Sequence, residues 1–425
     1  MKFNAVWTEE SSNTKAFTSD QDPPVKAEVV IVGAGYTGLN AALHLARAGV
    51  DTLVLEGGQL GNGASSRNAG MLLPGVKATL PDIARKYDLE FSRSLWQWTL
   101  DSIEYVENLT KREGIHCHLK SCGSLELAHK AKEFEKFKHR VDRLNTDYDY
   151  AMCKTVDRSS LDGEIGSKAF YGGLLDRSAK SLNPLAYLNG LIERTNEAQA
   201  KIIHNCPVRK LVRTNKRTFE IDLGKSKVHC ERVVLATNGY TTWRFPHLRK
   251  KLLPVGSYMI ATSPLSANVQ NELSPRGRMF FDSRKILNYF RLTPDGRMAF
   301  GGRNQLIPGR DLREGAQTLQ RKMIEIFPQL RNSQVTHSWS GSLAVTPDLL
   351  PHLDENEGLV EAYGYCGHGV SMASYLGWEA AQKILGKPTQ SFHSRLKPCF
   401  PIPPLCDPII LTAVKNYYGL RDRYL

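Results

Sequence analysis

Gly33, Gly35 and Gly38 stand at the spacing GxGxxG, and a carboxylate, Glu56, follows them. Glycine at the first position permits a tight turn, at the second it lets the backbone approach a pyrophosphate, and at the third it lets helix and strand pack closely. A helix that starts at such a turn offers unpaired N–H groups and a partial positive charge to an anion. Glu56 would accept hydrogen bonds from ribose hydroxyls, and a carboxylate there argues against a 2′-phosphate. The chemistry indicated is dinucleotide binding, with NADP disfavoured and NAD and FAD both open.

The elements that must position these residues can be read around them. Val29 to Val32 is an apolar strand, Leu39, Ala42, Leu43 and Ala46 follow at helical spacing to Gly49, and Thr52 to Leu55 is a second strand ending at Glu56. This is a parallel βαβ unit. Two glycine-rich turns lie elsewhere, at Ala236-Thr237-Asn238-Gly239 and at Gly364 to Val370, the second opening a final helix expected to about Leu385. The run from Gly61 to Gly70 is dense in small residues and hydrogen-bond donors and could wrap a long cofactor.

Beyond Pro81 the apolar residues Phe91, Leu95, Trp98, Tyr105, Val106 and Leu109 recur at helical spacing with no alternating strand, which points to a second domain. Asn183-Pro184 marks a helix start, followed by strands to Thr237 that return to the first domain. Pro294-Asp295-Gly296 reads as the turn of a hairpin between Asn288–Leu292 and 297–301 in the second domain. The expected fold class is α/β, α+β overall: a Rossmann-like domain over 27–85, 160–243 and 335–390, a discontinuous antiparallel-sheet domain over 86–159 and 244–334, and an extended C-terminal arm over 391–425.

The 425 residues carry 56 Lys and Arg against 43 Asp and Glu, a net charge of +13. Nine basic and three acidic residues lie between Lys201 and Arg232, alternating with apolar ones, so a solvated sheet face accounts for them better than nucleic acid does. The aromatic and basic tail from Leu411 to Leu425 is expected to pack on the body rather than lie on a membrane. Glu9, Glu10, Asp20 and Asp22 interrupt any apolar leader, and no run of about 18 apolar residues follows, so a cytoplasmic location is expected. The cysteines at 117, 122, 153, 206, 230, 366, 399 and 406 form no CxxC pair, which fits a reducing compartment. No metal-ligand cluster or serine–histidine–acid set stands at useful spacing, and no metal is expected.

Together these motifs are similar to the FAD-dependent D-amino-acid oxidase and glycine oxidase superfamily, and most to its gamma-glutamylputrescine oxidoreductase branch, through GASSRNAGML, NYFRLTPDGRMAFGG, YGYCGHGV and NYYGLRDRYL. The resemblance implies FAD as cofactor. It carries cofactor contacts onto Tyr36, Thr37 and Gly57 beside the fingerprint, onto Gly63, Ala64, Ser65, Ser66, Arg67, Asn68, Ala69, Gly70 and Met71, and onto Val208, which would hold the adenine through its backbone. It adds Ala236, Thr237, Asn238 and Gly239, Gly341, and the turn Gly367, His368, Gly369, Val370, Ser371 and Met372. N–H groups at the start of that last helix would stabilise negative charge on reduced flavin. Cys366 could anchor flavin covalently, but no flavinylation motif surrounds it.

The implied reaction is oxidation of a C–N bond in a small amine or amino acid, with hydrolysis of the imine and reduction of O2 to hydrogen peroxide. Gamma-glutamylputrescine-like and N-alkyl amino acids are candidate substrates. Tyr289 and Arg291 alternate onto one face of a strand, where Arg291 could grip a carboxylate. Arg67 would favour the reduced anion, His368 could touch substrate, and Tyr258 and Trp243 could wall the site. Tyr258 replaces the smaller or amide side chains expected in the nearest branch, which argues against gamma-glutamylputrescine itself. The alternatives are a dehydrogenase passing electrons to a quinone or carrier protein and a flavin-binding subunit without turnover.

Overall fold

A computed structural model describes residues 1–10, 22–215, 217–302, 306–309, 311–397, 401–403 and 407–424, so Asp20, Cys399, Cys406 and Leu425 lie outside the described residues. The strand Val29–Val32 is the centre of a six-stranded sheet, flanked in parallel by Thr52–Leu55 and Arg232–Leu235. Lys201–Ile203 extends one edge, Leu359–Tyr363 and then antiparallel His352–Asn356 the other. All four residues of the central strand are buried because both faces are covered. Val29 and Ile31 join the core made with the helices Tyr36–Arg47, Pro184–Glu197 and Gly369–Ile384. Val30 and Val32 pack instead on Phe219, Ile221 and Val228 of the small antiparallel sheet Lys210–Asn215, Thr218–Asp222 and Lys227–Cys230.

The helix expected at Asn183-Pro184 runs over Pro184–Glu197, with the Asn183 side chain accepting hydrogen bonds from the N–H groups of Leu185 and Ala186. The expected hairpin forms as Asn288–Leu292 against Met298–Gly302.

A second, eight-stranded sheet runs in the order Val335–Val345, Leu253–Thr262, Met298–Gly302, Asn288–Leu292, Met279–Asp282, Ser124–Leu127, Gly172–Asp176 and Cys153–Asp157. Two boundaries expected from the sequence therefore move. Gly172–Asp176 and Val335–Val345, both assigned to the nucleotide-binding part, pair within this second sheet. The helix Leu89–Arg112 moves the other way: Phe91, Leu95, Trp98, Val106 and Leu109 bury in the first domain's core, and Trp98 Nε1 donates to Glu379 Oε2 at 2.9 Å. An apolar stripe fixes which face is buried but not against what.

The arm expected over 391–425 is not simply extended. Asp407–Tyr424 is a helix, with Pro408 in the first turn, where the missing N–H is tolerated. It rests on the body through buried Leu411, an Asp407–Arg249 ion pair, and the Asp422 carboxylate, which accepts from the N–H groups of Lys285 and Ile286 at 2.8 and 2.9 Å. Among the described residues no helix is long and apolar enough to cross a membrane, no three His, Cys, Asp or Glu residues gather into a metal-binding group, and Cys117, Cys122, Cys153, Cys206 and Cys230 are free.

Candidate active site

The fingerprint turn leaves no room for side chains. Gly33 has φ +107°, and a Cβ there would come within 3.0 Å of the Ala236 carbonyl oxygen. At Gly38 a Cβ would lie 1.9 Å from the Gly33 oxygen, which no adjustment of a side chain could relieve. The helix Tyr36–Arg47 begins directly after Gly35 without a side-chain cap, so its first-turn N–H groups face the turn. Glu56 spans this mouth: its two carboxylate oxygens accept from the N–H groups of Ala34 at 2.9 Å and Gly58 at 3.0 Å. Ser65 closes the other side by accepting from Tyr36 N–H at 3.1 Å.

The loop after the second strand is held by Asn68, whose amide nitrogen donates to the carbonyls of Ala64 and Ser65 while its oxygen accepts from Gly70 N–H at 2.7 Å. Asn238 plays a similar part at the second turn, accepting from Gly364 N–H at 3.0 Å, and so ties the second glycine turn to the third. At that third turn Cys366 and Gly367 both take positive φ, 50° and 102°, and His368 leads into the helix Gly369–Ile384.

These pieces line one cavity of about 1200 Å³, larger than most small-molecule sites. Of the predicted cofactor contacts, Gly33, Gly35, Tyr36, Thr37, Glu56, Gly57, Gly63, Ala64, Ser65, Arg67, Asn68, Ala69 and Met71 face it, as do Val208, Ala236 to Gly239, Gly341 and Gly367 to Val370. Gly38, Ser66, Gly70, Ser371 and Met372 do not line it. Gly38 and Gly70 are packing positions, since a Cβ at Gly70 would lie 2.0 Å from the Leu182 oxygen. Ser66 is buried, and its hydroxyl is turned back onto the Gly61 and Gly63 carbonyls.

The predicted substrate residues separate. Tyr289 lines the cavity, and its hydroxyl meets Ser257 Oγ at 2.8 Å. Its ring lies over Gly301 of the next strand, where a Cβ would come within 2.3 Å of it. Arg67 and His368 also line the cavity, Arg67 donating to the Ser340 carbonyl at 3.2 Å.

Arg291 does not line it: the side chain is buried, donates to the Leu182 carbonyl at 2.6 Å, and lies 5.1 Å over the Trp7 ring. Alternation places Arg291 on the face of Tyr289, as expected, but one strand step further along, beneath the N-terminal segment. Tyr258 also points away, because its neighbour Ser257 takes the cavity face. Its buried ring packs on Gly315, and its hydroxyl donates to the Ile307 carbonyl at 2.9 Å. Trp243 stays exposed under the Arg249 guanidinium and does not reach the cavity. The sequence reading missed Tyr240, Ser257 and Tyr365, which line the cavity. Ser257 left a signal as the alternate of Tyr258, and Tyr365 as a member of the glycine turn Gly364 to Val370. Thr37 Oγ1 and Tyr365 OH meet at 2.5 Å, and burial pushes the Tyr365 phenol well up from its ordinary range.

The chain is 30% identical to a probable oxidoreductase of Haemophilus influenzae, over 86% of this chain and 85% of that one. It is 28% identical to the gamma-glutamylputrescine oxidoreductase of Escherichia coli, over 97% of each. The fold matches the crystal structure of glycine oxidase from Geobacillus kaustophilus with a TM-score of 0.70 at 21% identity, covering 86% of this chain and 96% of that one. The family model for FAD dependent oxidoreductases matches residues 28–383, the span that holds both sheets and every glycine turn of the cavity, and the chain belongs to that FAD-dependent oxidoreductase family.

Proposed function

We propose that this FAD-dependent oxidoreductase oxidises a C–N bond of a small amine or amino acid, giving an imine that hydrolyses to a carbonyl compound, with O2 as electron acceptor. One observation carries the reading: the glycine cradle and the Tyr289–Ser257 hydroxyl pair line the same cavity. The residues present fit FAD, because the cradle at Gly33 and Gly35 has space only where side chains are missing and Glu56 stands at the end of the second strand. Glu56 would hold ribose hydroxyls, the helix starts at Tyr36 and Gly369 would face the pyrophosphate and the flavin ring, and Val208 would meet the adenine.

Bound FAD supplies the hydride acceptor, so no nucleophile or obligatory catalytic base is asked of the protein. Arg67 sets a fixed positive charge at the cavity wall, and the uncapped start of the helix Gly369–Ile384 adds N–H groups; both would favour negative charge gathering there. Tyr289 and Ser257 can orient the amine through either hydroxyl, and His368 stands at the wall beside the third turn. The relatives support the substrate class: one is named for gamma-glutamylputrescine, and the fold neighbour for glycine.

The test is oxygen uptake and peroxide release by the purified holoenzyme across N-alkyl amino acids, gamma-glutamyl amines, D-amino acids and polyamines. Peroxide formed in step with oxygen consumed is the expected result. Turnover seen only with an added quinone or dye would remove O2 from the account, and no turnover with any amine would remove the substrate class.

A further inference from the structure

The cavity does not end at Tyr289. Its floor continues across the second sheet along residues in register: Tyr289 pairs with Phe281, Phe281 with Glu126, and Glu126 with Leu174, and all four line the cavity. Paired residues share a face, so this is one continuous row. Strands are spaced at about 4.8 Å, which puts Glu126 about 10 Å from Tyr289.

Above this far end runs the helix Ala131–Tyr148. Phe134, Phe137 and Leu144 bury it against Trp96, Cys153 and Leu174. Lys136, His139, Arg140 and Arg143, spaced three and four apart, form an adjacent face that lines the cavity. Arg140 pairs with Glu126 on the floor and lies 5.0 Å over the Phe137 ring. Burial works against its charge and the Glu126 carboxylate outweighs that, while 44% of its side-chain surface is accessible: it faces the cavity. The other carboxylate lining this far end, Asp176, is engaged by Tyr150 at 2.8 Å and by Cys153 at 3.2 Å. Among the described residues Lys136 and Arg143 pair within their own helix, with Glu133 at 2.7 Å and Asp147 at 3.0 Å. Such exposed pairs are worth little and exchange partners readily.

Resting on the amine-oxidising reading above, we infer that the face of Lys136 and Arg143 binds a carboxylate at the far end of an elongated amine whose nitrogen lies by Tyr289 and Ser257. At about 1.3 Å per bond, a reach of about 10 Å corresponds to roughly eight skeletal atoms. A short amino acid would leave this end of the cavity to water.

The experiment uses the FAD-loaded full chain with three probes: ω-aminooctanoate and octylamine as substrates, and octanoate, compared with octylamine, as calorimetric ligands. Wild type should bind octanoate about tenfold or more tightly than octylamine and show a lower KM for ω-aminooctanoate than for octylamine. Lys136→Met and Arg143→Met should each weaken octanoate binding about threefold to tenfold, the loss of one partly exposed charged contact, and narrow the KM difference. Lys138→Met, on the same helix but pairing with Glu135 outside the cavity, is the control and should change neither. Octanoate binding that ignores both cavity variants, or a KM no lower for ω-aminooctanoate than for octylamine, overturns the carboxylate subsite even if amines are oxidised. Charge-dependent octanoate binding with no amine turned over overturns the reaction and leaves the subsite standing.

Discussion

Trp7 and Trp339 hold consecutive carbonyls of one loop: Trp7 Nε1 donates to the Asn68 oxygen and Trp339 Nε1 to the Arg67 oxygen, both at 2.9 Å, with the rings edge to face at 6.5 Å. Trp339 comes from the second sheet, and Trp7 from an N-terminal segment that precedes the family match at residue 28. The segment is anchored by Glu9, which meets Arg297 at 2.9 Å and His337 at 3.3 Å. Arg67 and Asn68 are thus fixed by indoles from two parts of the chain.

Trp7→Phe keeps an aromatic ring and removes the donor, so it should cost about 1 kcal/mol in a urea titration, and Trp7→Ala about 3–5 kcal/mol. Both should weaken FAD uptake by the apoprotein. Unchanged FAD affinity in Trp7→Ala would show that the segment braces the fold without bracing the loop.

Gly38→Ala sets a Cβ against the Gly33 backbone oxygen, and backbone cannot move aside as a side chain can. The variant should be isolated without flavin or fail to fold, as read from the flavin-to-protein absorbance ratio. A yellow Gly38→Ala protein with full FAD content would contradict the cradle.

Tyr289→Phe leaves the ring over Gly301 and removes the hydroxyl shared with Ser257. FAD content and melting temperature should hold while kcat/KM for the preferred amine falls about tenfold, the worth of one hydrogen bond to a charged or reacting group. Arg291→Met should behave differently, losing stability, because its partners are Leu182 and Trp7 rather than the cavity.

His44 gives the fold an acid limit. Burial, then the charges of Arg112 and Arg47, push its imidazole from 6.5 to about 4. A histidine depressed in the folded state takes up its proton on unfolding first. Its contribution is therefore complete above about pH 6.5 and is lost as pH falls towards 4. Between pH 7 and pH 5 the loss should be about 2 kcal/mol by linkage, and His44→Gln should remove that part of the pH dependence in urea titrations. An identical pH slope in the variant would count against it.

Much of the nucleotide-binding half was legible because its signals are local: Gly33, Gly35, Gly38 and Glu56 carry their reasons within one βαβ unit. Arg291 shows the limit. Alternation gave its face correctly, but depth along the strand depends on Trp7, which lies 284 residues earlier in the chain. The same holds for Phe91 to Leu109, whose periodicity named a buried stripe while the partner, the helix Gly369–Ile384, is set by tertiary packing. Gly172–Asp176 was misassigned because its pairing with Ser124–Leu127 is a long-range choice no short window contains. The basic face of Ala131–Tyr148 carries no motif, and the register of four strands is what shows that it overlooks the cavity.

The most direct test of the central claim is anaerobic mixing of the FAD-loaded protein with the amine panel, following flavin absorbance and then admitting air. The account predicts that at least one amine bleaches the flavin and that air restores the colour with release of peroxide. Flavin that stays oxidised with every amine, in protein carrying a full complement of FAD, would contradict it.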